Sequence, residues 1–247
     1  MRYKEKNVWI IGASSGIGLA LAHELARGGA RLALSARQAD ALDALKSVLG
    51  AQHGVFPLDV TDVTAFAKTA ADVKNVFGRL DHVINLAAIY TPSSLAEMDL
   101  IEARRIVDIN LMGTLNTLQS VLPILRAQGG GQIALCGSVA GYRGLPNAQP
   151  YAATKAAVIS LAETARLEEA KNGIDVRVIN PGFVRTPMTD KNSFSMPMMV
   201  SPEKAAIAIA DGLLSSSFEI HFPKRFTWLM KFLKILPDTL YFHLLRR

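Results

Sequence analysis

The chain has 247 residues, half of them hydrophobic and 19% charged, which suits one sizeable buried core and is too short for two comfortable domains. Its single cysteine excludes an internal disulfide framework and a cysteine-based zinc site, and its five dispersed histidines lack ligand spacing, so we expect no metal. The net charge of +6 does not indicate nucleic-acid binding, because residues 223–247 hold six Lys and Arg against Asp238 alone, which leaves 21 against 20 elsewhere.

The first predicted element is a buried strand at 7–11, which runs into Gly12-Ala-Ser-Ser-Gly16-Ile-Gly18 and an amphipathic helix. A strand, a glycine turn and a helix N-terminus in this order predict a dinucleotide site, because free N–H groups and the helix dipole face the phosphates. We expect Gly12 to permit the tight turn, Gly16 to let the backbone approach the pyrophosphate and Gly18 to allow close helix–sheet packing. The alternative is a simple strand-to-helix turn.

Strands and helices then alternate as far as residue 222. Predicted strands cover 31–35, 54–58, 82–85, 132–136, 175–180 and 218–220, and predicted helices cover 39–49, 63–77, 100–111, 114–126, 151–171 and 202–214. Ser201 is expected to cap the last of these helices, with Pro202 in its first turn. The alternation implies parallel pairing and right-handed crossovers. We therefore predict an α/β fold, a single Rossmann-type doubly wound parallel sheet with helices on both faces.

Tyr151 and Lys155 form a Tyr-x-x-x-Lys pair at the start of a predicted helix. Side chains four residues apart share a helix face, and a nearby ammonium favours the phenolate. We therefore expect Lys155 to bring the pKa of Tyr151 from about 10 towards the working pH, as a proton donor or acceptor requires. The spacing alone is weak evidence, since an exposed Tyr and Lys on a helix would match it equally well.

Together, these motifs resemble the short-chain dehydrogenase/reductases, from about Val8 to Leu214. The resemblance implies a catalytic set of Asn110, Ser138, Tyr151 and Lys155. In it, Tyr151 donates a proton to the substrate carbonyl oxygen and Ser138 hydrogen-bonds that oxygen. Lys155 holds the nicotinamide ribose, and Asn110 anchors a water that links Lys155 to solvent. Taken singly, Ser138 would more often cap a turn and Asn110 would be a polar residue at a helix irregularity.

The resemblance also implies a cofactor site, in which Asp59-Val60 is the adenine-edge pair and Pro181-Gly182 the turn beside the nicotinamide. Asn85 with Ala87 corresponds to the strand-end motif. The implied cofactor-binding residues are Gly12, Ser14, Ser15, Gly16, Ile17, Gly18, Arg37, Asp59, Val60, Asn85, Ala87, Tyr151, Lys155, Pro181, Gly182, Val184 and Thr186.

Two departures from the family pattern occur together. Ile11 stands where the family commonly has Thr, and the stretch from Asn85 reads Asn-Leu-Ala-Ala instead of Asn-Asn-Ala-Gly. In the family that Thr and the second motif support one another, so we expect a polar contact to be exchanged for apolar packing here, with little effect on the chemistry.

The second strand ends in Ser35-Ala36-Arg37, without the carboxylate that would bond the adenosine ribose of NAD. A guanidinium there suits a 2′-phosphate, so the expected cofactor is NADP(H). The alternative for Arg37 is an exposed arginine that begins a helix.

Two segments, 142–149 and 187–200, are expected to form the substrate region. The second contains Met188, Phe194, Met196, Met198 and Met199, which suits adaptable contact with a lipophilic carbonyl compound, although ordinary packing would also explain the methionines. The predicted function is therefore NADP(H)-dependent reduction of a lipophilic ketone. The alternatives are a 3-oxoacyl-carrier-protein reductase-like enzyme and a non-catalytic NADP-binding sensor or scaffold. The resemblance implies a homodimer or homotetramer formed through the two helices that flank the site.

Residues 1–222 are predicted to form the catalytic domain and residues 223–247 an amphipathic helical extension that is not an independent domain. Lys224, Thr227, Lys231 and Lys234 would share one helix face, with Trp and Phe on the remaining arc. The segment is too short to cross a bilayer, so an in-plane interfacial anchor is expected. The alternatives are packing on a neighbouring subunit and roofing of the substrate cleft. With no signal-peptide core before Gly12, the expected location is the cytoplasm, peripheral at the inner face of a membrane.

Overall fold

The computed structural model describes residues 1–192 and 194–246 and contains a seven-stranded parallel sheet. The strand order is β3-β2-β1-β4-β5-β6-β7, so the chain reverses its winding direction between β1 and β4. The strands are β1 (Asn7–Ile11), β2 (Arg31–Ser35), β3 (Gly54–Val55), β4 (His82–Asn85), β5 (Gly131–Cys136), β6 (Ile174–Pro181) and β7 (Glu219–Phe222). A crevice at the carboxyl ends of the strands, beside such a reversal, is where ligands of doubly wound sheets bind.

Helices cover both faces of the sheet, as predicted. They are α1 (Gly16–Arg27), α2 (Ala39–Leu49), α3 (Val63–Phe77), α4 (Leu100–Val107), α5 (Gly113–Ala127), α6 (Tyr151–Glu169), α7 (Pro202–Leu213), α8 (Lys224–Ile235) and α9 (Asp238–Leu245). Side chains of β1 alternate between two buried cores: Trp9 and Ile11 pack with α3, α5 and α6, whereas Val8 and Ile10 pack with α1, α2 and α7. The predicted doubly wound fold is therefore confirmed.

The predicted boundaries mostly match, and the differences have local causes. Ser201 caps α7 by accepting a hydrogen bond from the Lys204 N–H, as expected. β3 ends at Val55 instead of residue 58, because Pro57 has no N–H, although Phe56 and Leu58 still donate to carbonyls at the end of β2. A π-helical turn, Asp108–Met112, separates α4 from α5. The predicted helical extension consists of two helices, α8 and α9, with a break at Leu236 and Pro237.

Candidate active site

A cleft of about 340 Å³ opens at the carboxyl ends of the central strands. Of the catalytic and cofactor-binding residues that the sequence singled out, all but Asn85 and Asn110 line it. Its lining includes Gly12, Ser14, Ser15, Gly16, Ile17, Gly18, Arg37, Asp59, Val60, Ala87, Ser138, Tyr151, Lys155, Pro181, Gly182, Val184 and Thr186. Neighbours that sequence reasoning did not single out, among them Gln38, Leu86 and Ile89, also line it, as do Met188 and Thr189 of the predicted substrate segment. Parallel strands bring these distant segments to one edge.

The glycine turn requires glycine for two different reasons. Gly12 has a φ of +91°, and a Cβ there would lie 2.8 Å from the backbone nitrogen of Ala87. A Cβ at Gly18 would lie 2.0 Å from the Gly12 carbonyl oxygen. Gly18 therefore lets α1 start directly against the turn itself, a tighter contact than the predicted helix–sheet packing. Ser15 precedes α1 in extended conformation and its side chain makes no capping hydrogen bond, so the first N–H groups of α1 face the cleft.

Arg37 marks the far end of the cleft. It is exposed, lies two residues after β2 and lines the cleft beside Ala36 and Gln38. Asp59 accepts hydrogen bonds from the Thr61 N–H and hydroxyl at 2.9 and 2.8 Å, which fixes its carboxylate in the loop after β3. A cation and an oriented carboxylate therefore lie in the loops that follow two neighbouring strands.

Ser138, Tyr151 and Lys155 meet at the other end. Ser138 follows β5, and its Oγ accepts a hydrogen bond from the Ala140 N–H at 3.1 Å. Tyr151 is the first residue of α6, with its ring centroid 5.0 Å from that of Tyr90. One turn later, the buried Lys155 Nζ donates to the Cys136 carbonyl oxygen at 2.8 Å and lies 5.5 Å from the Tyr151 ring centroid.

The pKa shifts differ from the sequence-based expectation. Burial raises the pKa of the Tyr151 phenol well above its ordinary value, and the neighbouring Ser138 hydroxyl offsets only part of that shift. Burial also lowers the pKa of Lys155. The expectation that Lys155 brings the pKa of Tyr151 towards the working pH is wrong for this arrangement, because burial raises that pKa and the group that lowers it is Ser138. The neutral phenol, the form that can give up a proton, is favoured.

Asn110 lies behind the cleft wall, in the π-helical turn. Its side chain accepts from the Ile89 N–H at 2.8 Å and donates to the Ile89 carbonyl at 3.0 Å and to the Thr154 hydroxyl at 3.3 Å. Asn110 therefore ties the loop after β4, which lines the cleft, to α6. The helix irregularity that the sequence left as an alternative is present, and it is what aims this side chain at Ile89.

Asn85 is also buried behind the wall and holds it in place. It donates to the Thr117 hydroxyl at 2.8 Å and accepts from the Ala87 N–H at 3.0 Å. Ile11, its partner in the β1–β4 register, is fully buried in the core with Trp9. The Asn85 side chain thus has its hydrogen-bond partners without a hydroxyl at position 11. Apolar packing of Ile11 takes the place of the polar contact expected from the family pattern.

The cleft fits an extended dinucleotide. Its middle presents the N-terminus of α1, where phosphates bind, and one end presents a buried ammonium with a single hydrogen bond among the described residues. An ammonium has three donors, so Lys155 retains two for ribose hydroxyls. Among the residues that the structure describes, no group of three or more His, Cys, Asp or Glu is placed to hold a metal ion.

The described part of segment 187–200 closes one side of the catalytic end; Ser193, which falls in the predicted substrate region, lies outside the described residues. Asn192 accepts a hydrogen bond from the Tyr90 hydroxyl at 3.0 Å. Phe183, next to the Pro181-Gly182 turn, packs edge-on against Phe194 and tilted against Phe226, with centroids 5.9 and 5.3 Å apart. An aromatic cluster therefore joins this segment, the turn and α8.

Arg143, in segment 142–149, fastens the C-terminal extension to the site, a role that sequence reasoning missed. Its guanidinium donates to the carbonyls of Leu233, Lys234 and Leu236, pairs with Asp238 and stacks 3.8 Å from the ring centroid of Tyr241. Tyr241 in turn donates to the Gly144 carbonyl at 2.5 Å. Arg143 thus supplies hydrogen bonds to the free carbonyl groups at the carboxyl end of α8 and also holds α9 in position.

The helix face predicted for Lys224, Thr227, Lys231 and Lys234 is partly covered by the body of the protein. Thr227 is fully buried and hydrogen-bonds His221, and Lys231 pairs with Glu219 at 2.5 Å. Part of this face therefore packs on the strand β7 instead of facing solvent. Arg247, the last residue of the extension, lies outside the described residues. No helix in the described chain is long and apolar enough to cross a membrane.

The chain is similar to known oxidoreductases in sequence and to a solved structure in fold. The family model described as short chain dehydrogenase matches residues 6–196. An uncharacterized oxidoreductase of Staphylococcus saprophyticus is 38% identical over 192 residues, 76% of this chain and 77% of the relative. An uncharacterized oxidoreductase of Myxococcus xanthus is 31% identical over 94% of this chain and 93% of its own. A solved short chain dehydrogenase/reductase family protein superposes with a TM-score of 0.81 at 26% identity, covering 90% of this chain and 97% of that one.

Proposed function

The chain belongs to the short-chain dehydrogenase family, and from this premise we propose that it is an NADP(H)-dependent oxidoreductase that reduces a lipophilic ketone to a secondary alcohol. The family acts on CH–OH and C=O groups with a nicotinamide cofactor. The observation that carries the proposal is the meeting of the Tyr151 phenol, the Ser138 hydroxyl and the Lys155 ammonium at one end of a cleft whose other end holds Arg37.

In the proposed reaction, Tyr151 donates its proton to the substrate carbonyl oxygen while Ser138 donates a hydrogen bond to the same oxygen. The bound nicotinamide supplies the hydride. Negative charge that develops on the oxygen is met by donors already in position, which lowers the barrier. Lys155 uses its remaining N–H groups to hold the ribose, and its charge stabilises the phenolate once the proton has left. Asn110 keeps the Ile89 segment, which lines the cleft, against α6.

The choice of NADP(H) over NAD(H) is supported by Arg37. A guanidinium at this position can pair bidentately with a 2′-phosphate, whereas an NAD enzyme would need an acceptor for the ribose hydroxyl there. Arg37 is exposed and, in the part of the chain that the structure describes, it has no ion pair that would compete for the guanidinium. The alternative, an exposed arginine that begins a helix, predicts equal use of NADPH and NADH.

A lipophilic substrate is supported by the apolar character of the walls beside Tyr151. Met188 lines the cleft, and Phe183, which follows the cleft-lining Gly182, packs with Phe226 and with the half-exposed Phe194. Tyr90 packs against Tyr151 from another side. Such surfaces bind apolar carbon skeletons better than small polar ones.

The test is the oxidation of NADPH, followed at 340 nm, with long-chain ketones, steroid-like ketones, 3-oxoacyl thioesters and small aldehydes as substrates. We expect the highest kcat/KM with a long-chain or steroid-like ketone. A preference for 3-oxoacyl thioesters would support the 3-oxoacyl-carrier-protein reductase-like alternative. Tight NADPH binding without turnover of any class would support the sensor or scaffold and contradict the enzyme.

A further inference from the structure

α8 turns an apolar face to solvent. Trp228, Leu229, Phe232 and Ile235, which we call the apolar tail face, follow one another at helical spacing and are all exposed. Single exposed apolar side chains are normal on a protein surface, but adjacent ones on one helix face form a patch, and patches of this kind mark interaction sites.

The body of the protein fixes the outward direction of this face. On the opposite side of α8, Phe226, Thr227 and Met230 are buried. The ion pair between Lys231 and Glu219 locks the rotation of the helix, because Glu219 is also bonded by Asn180 at 2.7 Å from β6. The apolar tail face therefore cannot turn inward without loss of these contacts.

Positive charge borders the face at the start of α8. Arg225 is exposed one turn before Trp228 and Leu229, on the same stripe, and Lys224 is exposed beside it. The one acid of the extension, Asp238, is paired with Arg143. An apolar centre with a cationic rim is complementary to a bilayer that carries anionic headgroups over an apolar interior.

We propose that the apolar tail face docks the protein on the surface of an anionic bilayer, with Trp228 and Phe232 in the boundary between headgroups and acyl chains. α8 has twelve residues, so it lies in the interface instead of crossing it. A second copy of the chain fits this face less well. A two-fold contact would set the apolar tail face against itself and bring the arginine and lysine rims of both copies together.

Docking also brings a second cleft close to the lipid. This cleft, of about 550 Å³, is walled by Tyr241, Phe242 and Leu245 of α9 and by the segment from Gly144 to Gln149. Only Leu236 and Pro237 separate α8 from α9, so the cleft stays near the docked helix. A lipophilic ketone dissolved in the bilayer could then enter this second cleft. This last step rests on the proposed function, whereas the docking itself does not.

The test uses the full chain and vesicles of phosphatidylcholine with or without phosphatidylglycerol. Of the two tryptophans, Trp9 is 0% exposed and Trp228 62% exposed, so a shift of the fluorescence to shorter wavelength on vesicle addition reports Trp228. We expect this shift, and co-sedimentation, with the anionic vesicles at low salt, and at least tenfold less of the protein bound to vesicles without phosphatidylglycerol.

A matched pair of double variants locates the contact. Phe232→Glu/Ile235→Glu changes residues that are 56% and 76% exposed, and the control Val76→Glu/Val48→Glu changes residues that are 53% and 74% exposed on α3 and α2. We expect the tail variant to lose at least tenfold in vesicle binding and the control to keep it, with both folded by circular dichroism. Equal binding of the two variants, or no binding by the parent, overturns the proposal. A parent dimer that only the tail variant dissociates also overturns it. NADPH turnover with a soluble ketone, assayed separately without vesicles, reports on the proposed function alone.

Discussion

Tyr151 stands where α6 begins, and its ring packs edge-on against Tyr90. We predict that Tyr151→Phe abolishes carbonyl reduction, by at least about 10²-fold in kcat, since it removes the proton donor and keeps the packed ring. NADPH affinity, measured by fluorescence titration, should change little. Turnover within tenfold of the parent would remove Tyr151 from this role. Tyr90→Phe, which keeps the neighbouring ring and loses the bond to Asn192, is the matched control and should retain most of the activity.

The raised pKa of Tyr151 sets the expected pH dependence. A phenol whose pKa lies above its ordinary value stays protonated as pH rises, so the donor form should persist through neutral and moderately alkaline pH. We predict that kcat for ketone reduction stays within about twofold from roughly pH 6 to pH 9, whereas initial rates of alcohol oxidation, which need the phenolate, rise over the same range. Profiles in both directions at saturating cofactor would check this. A reduction rate that falls with a midpoint near neutrality would contradict it.

Arg37 tests the cofactor assignment. Arg37→Asp replaces a cation suited to the 2′-phosphate by a carboxylate that repels the phosphate and can accept from a ribose hydroxyl. We predict at least a tenfold fall in the ratio of kcat/KM for NADPH to that for NADH. Arg225→Asp, at another exposed arginine that does not line the cleft, should leave the ratio unchanged. If the two variants gave the same ratio as the parent, Arg37 would have no contact with the phosphate.

At the scale of elements, Arg143 is the link between the substrate segment and the last two helices. It donates to three carbonyls at the end of α8, pairs with Asp238 and stacks on Tyr241. We predict that Arg143→Ala loosens α8 and α9, because those carbonyls lose their partner, at a cost of about 1–3 kcal/mol. Limited proteolysis should then cut near Pro237 faster than in the parent. Arg104→Ala is the control, because it breaks only an exposed ion pair with Asp108, four residues further along the chain. It should not change the cleavage rate. Equal rates in both variants would mean that other contacts hold the tail.

Local patterns were read from the sequence more successfully than distant contacts. The glycine turn and the Tyr151–Lys155 pair are each defined by a few consecutive residues, and the structure brings both to the same cleft. Arg143 could not be singled out, because its partners lie some ninety residues further along the chain. The helical period gave the residues that share a face of α8, but not which face packs inward. That choice depends on His221 and Glu219, which bind Thr227 and Lys231 across the fold.

Desolvation is the other effect that a sequence does not display. Lys155 four residues after Tyr151 indicates attraction between ammonium and phenolate, and the helix does place them one turn apart. Yet Lys155 is buried and Tyr151 partly buried at this end of the cleft, and burial shifts the pKa of each in the direction that favours its neutral form. The depth of a side chain depends on the whole sheet and its covering helices. The direction of the Tyr151 pKa shift therefore depends on the burial that the fold creates and cannot be derived from the Tyr-x-x-x-Lys spacing.

At the scale of the whole molecule, we predict a homodimer or homotetramer formed through the helices that flank the site. α4 and α6 carry the strongly exposed apolar residues Ile101 and Leu167, and the apolar tail face is expected to be taken up by lipid. Light scattering after size exclusion should give a mass at least twice that of the chain, 26.7 kDa. Leu167→Glu should shift the mass towards the monomer, since a buried unpaired carboxylate is costly at an interface. Val48→Glu, on α2 and also exposed, should leave the mass unchanged. A monomeric parent, or dissociation by Val48→Glu and not by Leu167→Glu, would contradict assembly through these helices.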